Sequence, residues 1–336
     1  MSEPLVVIDA DVLGRNRTGD ETYVENLLRA LPLAAPDLRL AAVTRRPELV
    51  PDGVEPIGVP AWSQEVRMAV RLPLLFRRLR PALVHFVHAL PLALPCPAVL
   101  TVQDLSFERD ASLIGRRETA IFRAVVPRSA RRARAVIAIS ERTKADLVEL
   151  YGLPPAKIAV TLLAPDEAFR PGGTRKDYVL LTGSIEPRKN PLAALDAADA
   201  VGRRLVVAGP ERDRALAAEL RRRGADLRGF VAKEELVRLT QEAAALVFPT
   251  LHEGFGLPVA EAMACGTPVV ASPDPAVREV GGDAIAYATP GELADMLRRV
   301  LDDPGRWERA GIERARSLSW RHTAELTAAV YREALR

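Results

Sequence analysis

Two glutamates and two glycines stand close together in the apolar stretch 245–272, which reads ALVFPTLHEGFGLPVAEAMACGTPVVAS. Gly254 and Gly256 remove side chains where backbone N–H groups must approach a ligand, and the proline that follows suits the first turn of a helix. The free N–H groups and the positive end of the helix dipole then face one site, which favours phosphate. Glu253 and Glu261 would repel phosphate, so their natural partners are hydroxyl groups.

Phosphate flanked by hydroxyl-rich rings is the chemical pattern of a nucleotide sugar. The E-x(7)-E pair of Glu253 and Glu261 closely resembles the donor-binding motif of the family 4 retaining glycosyltransferases, which have the GT-B fold. The resemblance implies that Glu253 holds sugar hydroxyls and Glu261 the ribose hydroxyls. It also implies that the diphosphate faces the amides of Gly254, Phe255, Gly256 and Leu257. The alternative is a doubly wound domain whose glycines only shape a turn and whose glutamates are surface charges.

A second phosphate-facing turn is predicted where the buried strand DYVLLTG is followed by SIEPRKNPLAALDAA. A glycine, two cations and then a helix favour a bound phosphate. EPRKN resembles the family run in which a lysine, with an arginine upstream, holds the pyrophosphate, so Lys189 and Arg188 are expected to be catalytic. The upstream arginine, which in many members directly follows Gly183, is Ser184 here, and Arg188 is expected to supply its charge. A solvated helix start is the alternative, but it would place cations at the unfavourable end of the helix dipole.

The first half of the chain carries two further resemblances. RNRTGDETYVENLLRAL is similar to the family's glycine loop and first helix, which implies that Gly19 approaches the donor phosphates or the acceptor. AVLTVQDLSF resembles a strand that usually ends in T-x-H-D-L, with the histidine pointing at the donor sugar. Here Gln103 replaces that histidine and Asp104 is retained, and these two residues, together with Glu253, are also expected to be catalytic. Glutamine takes up no proton near neutral pH, so a mechanism that needs imidazole at this position is not supported. His85 and His88, on a neighbouring strand, are alternative imidazoles, although strand histidines are more often structural.

The elements that position these residues alternate between buried strands and helical patterns, which predicts parallel sheets with helices on both faces. We therefore expect an α/β protein of the GT-B type, with two Rossmann-like doubly wound domains facing across a cleft. The polar, proline-rich run LAPDEAFRPGGTRKD marks the boundary. Residues 1–165 form the predicted acceptor domain, 166–318 the donor domain, and 319–336 a helix that crosses back. The resemblance places the nucleobase against the backbone of the loop that ends at Val231.

Composition narrows the function classes. The chain has 336 residues, of which 48% are hydrophobic and 27% charged, as in soluble globular proteins of two domains. Two cysteines exclude a disulfide framework. The Asp9-x-Asp11 pair comes too early to be the metal signature of the other large glycosyltransferase fold, so we expect no metal and no cofactor besides the donor. The first turn lacks G-x-G-x-x-G, which argues against a nicotinamide oxidoreductase.

Charge is unevenly distributed along the chain. The net charge of +3 gives no general case for nucleic acid, and the start lacks a signal-peptide pattern, which predicts a cytoplasmic protein. Residues 65–81 hold five arginines against one glutamate, and residues 116–134 hold seven against one. These two arginine-rich helices predict peripheral contact with the inner membrane leaflet and a lipid-linked acceptor. Solvated faces of surface helices are the alternative.

The resemblance implies metal-independent transfer of a hexose with retention of anomeric configuration, the leaving phosphate taking up the acceptor's proton. TGDETYVENLL, TVQDL, EPRKN and EGFGLPVAEAM are most similar to bacterial mannosyltransferases that build cell-surface polysaccharides. GDP-mannose is the first choice of donor and UDP-glucose, or a related UDP-sugar, the second. The acceptor is a glycan, a lipid-linked sugar or a small molecule. The alternatives are a catalytically degenerate nucleotide-sugar-binding protein, motivated by Gln103 and Ser184, and a GT-B epimerase.

Overall fold

Two parallel β-sheets, one in each of two units of the chain, organise the fold. The computed structural model describes residues 3–15, 18–60, 63–109 and 116–336, and for residues 18 and 116–118 it describes the backbone alone. The first unit comprises Met1–Leu163 and Trp320–Arg336, and the second comprises Ala164–Ser319. Asn16 and Arg17, within the predicted glycine loop, lie outside the described residues.

The first unit contains seven strands in the order β3-β2-β1-β4-β5-β6-β7, all parallel. The strands are β1 Leu5–Asp9, β2 Arg39–Thr44, β3 Glu55–Gly58, β4 Leu83–Val87, β5 Ala98–Val102, β6 Ala135–Ala138 and β7 Ile158–Val160. The helices between them are α1 Thr18–Ala34, α2 Gln64–Val66, α3 Leu72–Leu79, α4 Ser106–Arg109, α5 Arg116–Arg132 and α6 Glu141–Tyr151. A π-helical turn, Arg67–Arg71, joins α2 to α3, and 3₁₀ turns lie at Pro47–Leu49 and Pro155–Lys157.

The second unit repeats the plan with six parallel strands in the order β10-β9-β8-β11-β12-β13. The strands are β8 Tyr178–Thr182, β9 Arg204–Ala208, β10 Asp226–Gly229, β11 Ala245–Phe248, β12 Val269–Ala271 and β13 Ala286–Tyr287. The helices are α7 Pro191–Ala200, α8 Arg214–Arg222, α9 Lys233–Glu242, α10 Leu257–Ala264, α11 Pro275–Gly281, α12 Leu293–Asp302 and α13 Pro304–Ala315. Pro187–Lys189 and Gly282–Ala284 form 3₁₀ turns.

Both sheets are buried on their two faces, as expected of parallel strands covered by helices. Every residue of β5 (AVLTV) and of β8 (YVLLT) is buried. In each sheet the strand order reverses once, between β1 and β4 and between β8 and β11. Ligands of doubly wound sheets bind at the carboxyl ends of the strands beside such a reversal. The predicted pair of doubly wound parallel sheets is confirmed.

The last helix, α14 (Trp320–Leu335), belongs to the first unit. It packs mainly on α1, and Tyr331 is fully buried. The Tyr331 hydroxyl lies 2.6 Å from Nδ1 of His85, whose Nε2 lies 2.7 Å from Oγ1 of Thr101. Burial lowers the pKa of His85 to about 3, so its ring is neutral. His85 is therefore a structural residue and not the replacement imidazole considered above.

One sequence expectation needs correction. The segment predicted as one strand from Ala98 to Phe107 ends as a strand at Val102, and Ser106 starts the short helix α4. Asp104 explains the change, because its Oδ1 accepts from the N–H and the hydroxyl of Ser106 at 3.2 and 3.0 Å and so caps that helix.

Charged side chains at the end of β1 pair with arginines. Asp9 accepts from the fully buried Arg67 of the π-helical turn, and Asp11 accepts from Arg45 at 2.6 Å and from Arg15 at 3.1 Å. The described residues contain no cluster of three or more metal-ligating side chains. None of the helices in the described ranges combines the length and the apolar run that a membrane crossing requires.

Candidate functional site

The carboxyl ends of β8 and β11 bring together several of the predicted donor residues of the second unit. β8 ends at Thr182, and Gly183 follows with a φ of +120°, a conformation that favours glycine. A β-carbon at Gly183 would lie 3.4 Å from Cε of Lys189, so a larger side chain would press on that lysine. Ser184, which stands where many family members have arginine, is buried.

Lys189 and Glu253 form a buried ion pair. Their side chains are 10% and 8% exposed, and Nζ of Lys189 donates to Oε1 of Glu253. The same carboxylate oxygen accepts from the Thr250 hydroxyl at 2.9 Å. The Lys189 ammonium also lies 5.0 Å from the centre of the Phe248 ring. A solvated helix start is therefore excluded for Lys189, because its charge is held inside the protein.

Arg188 connects the loop after β8 to the loop after β11. Its Nη1 donates to the carbonyl of His252 at 2.9 Å and lies 3.4 Å from Oε2 of Glu253. Its Nε and Nη2 donate to Oε1 of Glu186 at 3.2 and 2.9 Å. The Arg188 carbonyl accepts from the N–H of Leu251 at 2.8 Å. The Arg188 guanidinium therefore holds the loop that carries Glu253 in place, and Glu186 in turn holds the guanidinium. The role of Glu186 was not predicted from the sequence.

Two opposing effects set the ionisation of Glu253. Burial favours the neutral acid, and the charges of Lys189 and Arg188 favour the carboxylate. The cations and the hydrogen bonds prevail, so the pKa of Glu253 is lowered. The site therefore holds an ionised carboxylate, which can accept hydrogen bonds from the hydroxyl groups of a ligand.

The glycine turn leads directly into α10. Gly256 is the N-cap residue of α10 and has a φ of +104°, and a proline stands in the first turn, as the sequence predicts. Phe255 is buried and Leu257 half-buried, so this turn offers mainly its backbone. Asp274 links the turn to α11, because its carboxylate accepts from the N–H of Ala276 at 2.9 Å, which caps α11, and from the N–H of Glu253 at 3.4 Å.

Glu261 lies on α10 in a second, separate charged group. It is 9% exposed, and burial, followed by the charge of Asp166, raises its pKa to about 8. Asp166 in turn accepts from Nζ of Lys233 at 2.7 Å and from the N–H of Ala168 at 3.0 Å. Glu261 is therefore protonated at neutral pH and can both donate to and accept from a hydroxyl. Asp166 was missed because it lies within the segment interpreted only as a domain boundary.

The loop assigned to the nucleobase begins at the end of β10. Gly229 has a φ of +64°, its carbonyl accepts from the N–H of Gly209 at 2.8 Å, and Val231 is half-buried. Gly209 itself has no room for a side chain, since a β-carbon there would lie 1.9 Å from the carbonyl oxygen of Gly183. Its sequence signal, a glycine directly after the strand RLVVA, is the same as that of Gly183.

The remaining predicted residues lie in the first unit. Gln103 follows β5 and is buried, and its Nε2 has no hydrogen-bond partner among the described residues. Gly19 lies in the first turn of α1, where a β-carbon would be 3.7 Å from Oε1 of Gln103. Gln103 and Gly19 therefore lie close together, whereas the Asp104 side chain accepts from the N–H of Ser106 at the start of α4.

Two family patterns together span most of the chain. The family described as "Glycosyltransferase Family 4" matches residues 17–162, and the family described as "Glycosyl transferases group 1" matches residues 176–303. Each match falls within one of the two structural units.

Curated relatives are similar over part of their length. The chain is 29% identical to O-antigen chain mannosyltransferase B of Escherichia coli over 60% of this chain and 61% of that protein. It is 33% identical to D-inositol 3-phosphate glycosyltransferase of Kribbella flavida over 59% of this chain and 56% of that protein. The chain thus spans about three fifths of the length of these relatives.

Solved structures share the fold over the whole chain. Sucrose-phosphate synthase from Thermosynechococcus elongatus has a TM-score of 0.77 and 18% identity, with 99% of both chains covered. Anabaena HepE in complex with UDP-glucose has a TM-score of 0.73 and 16% identity, with 98% of this chain and 99% of that chain covered.

Proposed function

The chain belongs to glycosyltransferase family 4 and has the GT-B fold, and we therefore propose that it transfers a hexose from a nucleotide-sugar donor to a hydroxyl group with retention of configuration. The observation that carries this proposal is the buried Lys189–Glu253 pair beside the glycine turn of α10. It joins, in one place, a cation suited to a diphosphate and a carboxylate suited to sugar hydroxyls.

The chemistry follows from how charge develops during transfer. Positive charge grows at the anomeric carbon and negative charge on the departing diphosphate, and groups that stabilise these charges lower the barrier. The ammonium of Lys189 and the N–H groups of 254–257 serve the diphosphate, and the Glu253 carboxylate orients the sugar. The leaving phosphate itself takes the proton of the acceptor hydroxyl. The residues proposed for this step need no metal ion.

Lys189 and Glu253 neutralise each other in this structure. Donor binding must therefore separate them, so that the ammonium turns to phosphate and the carboxylate to hydroxyls. Arg188 remains on Glu186 and the His252 carbonyl, and so keeps the Glu253 loop in position during this exchange. We accordingly assign Arg188 a positioning role, in place of the diphosphate contact expected from the sequence.

The donor proposed first is GDP-mannose, supported by the similarity to a mannosyltransferase of Escherichia coli. UDP-glucose or a related UDP-sugar is second, supported by the UDP-glucose in the Anabaena structure. The proposed acceptor is a glycan, a lipid-linked sugar or a small molecule, and the similarity to an enzyme named for inositol 3-phosphate keeps the small-molecule case open.

Peripheral contact with the cytoplasmic face of a membrane is part of the proposal. Val70 and Leu74, in the π-helical turn and in α3, are 49% and 57% exposed, and the arginines beside them at positions 71, 77 and 78 are exposed as well. Exposed apolar side chains among cations bind anionic lipid surfaces. The contact would be supported if the protein sediments with anionic vesicles but not with neutral ones, and if Leu74→Ser abolishes this sedimentation. Equal sedimentation with both kinds of vesicle would contradict it.

The test of the donor site is thermal stabilisation by GDP, UDP, ADP and dTDP and their sugars, without added metal. A ligand that binds only the folded protein raises its unfolding midpoint. We expect the nucleotide sugar with one particular base and one particular sugar to raise the unfolding midpoint most. Release of the free sugar, or its transfer to an acceptor, would distinguish an enzyme from a degenerate binding protein. Product analysis without acceptor separates transfer from epimerisation. No stabilisation by any nucleotide would refute the proposal.

A further inference from the structure

A cavity of about 550 Å³ lies at the amino ends of three neighbouring strands of the first unit. Pro97 directly precedes β5, Arg134 precedes β6 and Lys157 precedes β7, and all three residues line the cavity. The strands run parallel, so this is the edge of the sheet opposite to the carboxyl ends, where doubly wound sheets bind their main ligands. The cavity is large enough for a small molecule and is no part of the site described above.

Three cationic residues line this cavity. They are Arg132, in the last turn of α5, together with Arg134 and Lys157. None of the three forms an ion pair with a carboxylate within the described part of the chain. The described residues that line the cavity include no aspartate or glutamate either. The positive charge at this place is therefore not compensated by those residues.

Backbone carbonyls hold two of these cations in place without neutralising them. Nη1 of Arg132 donates to the carbonyl of Pro91 at 3.1 Å, and Nζ of Lys157 donates to the carbonyl of Arg131 at 2.7 Å. Burial lowers the pKa of Lys157, because the ammonium loses hydration and gains no counter-charge. A bound anion would supply that counter-charge.

Capping of α5 is the simplest structural explanation of these cations, and it accounts for part of them. A lysine that bonds to a carbonyl in the last turn of a helix stabilises the end of that helix, as Lys157 does. Arg134 has no such role. Its N–H donates to the carbonyl of Ala98 at 2.7 Å, and its guanidinium has no hydrogen-bond partner among the residues that the structure describes. The third positive charge therefore remains unexplained by the fold.

Apolar side chains form another part of the cavity wall. Leu90 and Leu94, from the loop between β4 and β5, line it together with Cys96. Leu90 is buried, whereas Leu94 and Cys96 are half-buried. A hydrocarbon group suits this wall. A nucleobase or a sugar would leave polar edges or hydroxyl groups without partners on it.

The charge and the apolar wall together indicate the class of ligand. Three cations can balance more charge than one carboxylate carries, whereas a phosphate monoester carries up to two negative charges and accepts hydrogen bonds from several donors. We propose that this cavity binds a phosphate monoester attached to an apolar chain. Arg132, Arg134 and Lys157 bind the phosphate, and Leu90 and Leu94 contact the chain. Such a group belongs to a soluble alkyl phosphate or to a phospholipid headgroup.

The experiment is calorimetric titration of hexyl phosphate into the full chain. We expect saturable binding, and we expect inorganic phosphate to bind at least about tenfold more weakly because it lacks the chain. Arg134→Gln and Lys157→Gln should each weaken the binding of hexyl phosphate about tenfold. Arg134→Gln removes no side-chain hydrogen bond, so it should keep the unfolding midpoint of the wild type. This variant keeps the test valid even if Lys157→Gln weakens the end of α5.

Two further variants locate the phosphate. Arg128→Gln removes an arginine of α5 that lines a different cavity, together with Glu108 and Tyr151, and should leave the binding of hexyl phosphate unchanged. Lys189→Met removes the cation of the proposed donor site and should also leave it unchanged. Binding that is lost in Lys189→Met and kept in Arg134→Gln would assign the phosphate to the donor site and overturn the proposal.

Vesicles distinguish the two sources of the ligand. Sedimentation with vesicles that contain phosphatidic acid, weakened by Arg134→Gln, would identify a lipid headgroup, and binding of hexyl phosphate without it would identify a soluble ester. Either result supports the proposal. Wild-type affinity for hexyl phosphate in Arg134→Gln and Lys157→Gln would overturn it, and so would equal affinity for hexyl phosphate and inorganic phosphate. Absence of nucleotide binding would refute the proposed function and leave this site standing.

Discussion

Lys189 and Glu253 each compensate the other's charge in the interior of the second unit. Removing one partner of a buried ion pair leaves the other uncompensated, which costs much more than the net contribution of the intact pair. If the donor binds as proposed, its phosphate and hydroxyl groups replace the contacts within this pair. Under the proposed function, the stability of the protein and its affinity for the donor therefore depend on the same two side chains.

Lys189→Met should lower the free energy of unfolding by about 3 kcal/mol, because among the described residues Glu253 then keeps Arg188 and Thr250 as its side-chain partners. Adding Glu253→Gln should restore part of this loss, so the double variant is more stable than the sum of the single effects predicts. Urea denaturation of the four proteins measures the coupling. Strictly additive effects would show that the pair contributes nothing as a pair.

Glu261 should make stability depend on pH. Its pKa is about 8 in the folded protein against an ordinary value of 4.5, so between these two values the unfolded chain is ionised while the folded protein keeps the proton. Folding then takes up a proton, and stability falls as pH rises across this range. Glu261→Gln, which mimics the neutral acid, should remove this component. Comparing the unfolding midpoints of both proteins against pH provides the test, and parallel curves would contradict it.

Two loops of the second unit form one structural element through Arg188. The loop after β8 carries Arg188 and Lys189, the loop after β11 carries Glu253, and Arg188 bonds to both through side chain and backbone. A planar guanidinium reaches these partners at once, whereas an ammonium reaches fewer of them. The geometry of the proposed donor site is thus a property of the two loops together.

Arg188→Lys should weaken the binding of a nucleotide sugar more than the binding of the corresponding nucleoside diphosphate. The variant keeps a positive charge, so phosphate contacts by Lys189 persist, while the loop that carries Glu253 loosens and sugar contacts are lost. Calorimetric titration of both ligands into both proteins gives the dissociation constants. We expect the ratio of the constant for the nucleotide sugar to that for the nucleoside diphosphate to rise about tenfold in the variant. An equal loss for both ligands would show that Arg188 contacts the diphosphate itself.

The sequence predicted elements better than contacts. The strands, helices and glycine turns followed from apolar runs and from Gly, Pro and capping residues, which act locally. The Arg188–His252 bond, the Asp166–Glu261 interaction and the close approach of Gly209 to Gly183 join segments that are separated by loops or helices. The capping of α4 by the Asp104 side chain is a local interaction. It was not predicted because the family resemblance at T-x-H-D-L favoured a strand at this position.

At the scale of the whole molecule, the first unit is built from two separate parts of the chain. Residues 1–163 supply its sheet, and α14 covers α1 and reaches the sheet through Tyr331 and His85. The second unit lies between these parts in sequence. Stability of the first unit therefore requires residues that follow the second.

A chain that stops after Ser319 should lose the cooperative unfolding of the first unit and keep that of the second. The truncation exposes the apolar face of α1 and leaves the His85 Nδ1 without the Tyr331 hydroxyl. Scanning calorimetry, with amide hydrogen exchange of β1 and β8 as separate probes, measures each unit. Tyr331→Phe is the matched control and should cost about 1–3 kcal/mol, since it removes only one hydrogen bond. Protection of β1 equal to that of the full chain would refute this dependence.

The return of α14 also fixes the order in which the protein matures on the ribosome. Domains usually fold as they emerge, the N-terminal one first. Here the strands of the first unit are synthesised first but lack their covering helix until the whole second unit has been made. The second unit can complete its fold earlier, and the first waits with an apolar surface uncovered. Translation speed across residues 164–319 therefore sets how long that surface is open to chaperones and to self-association.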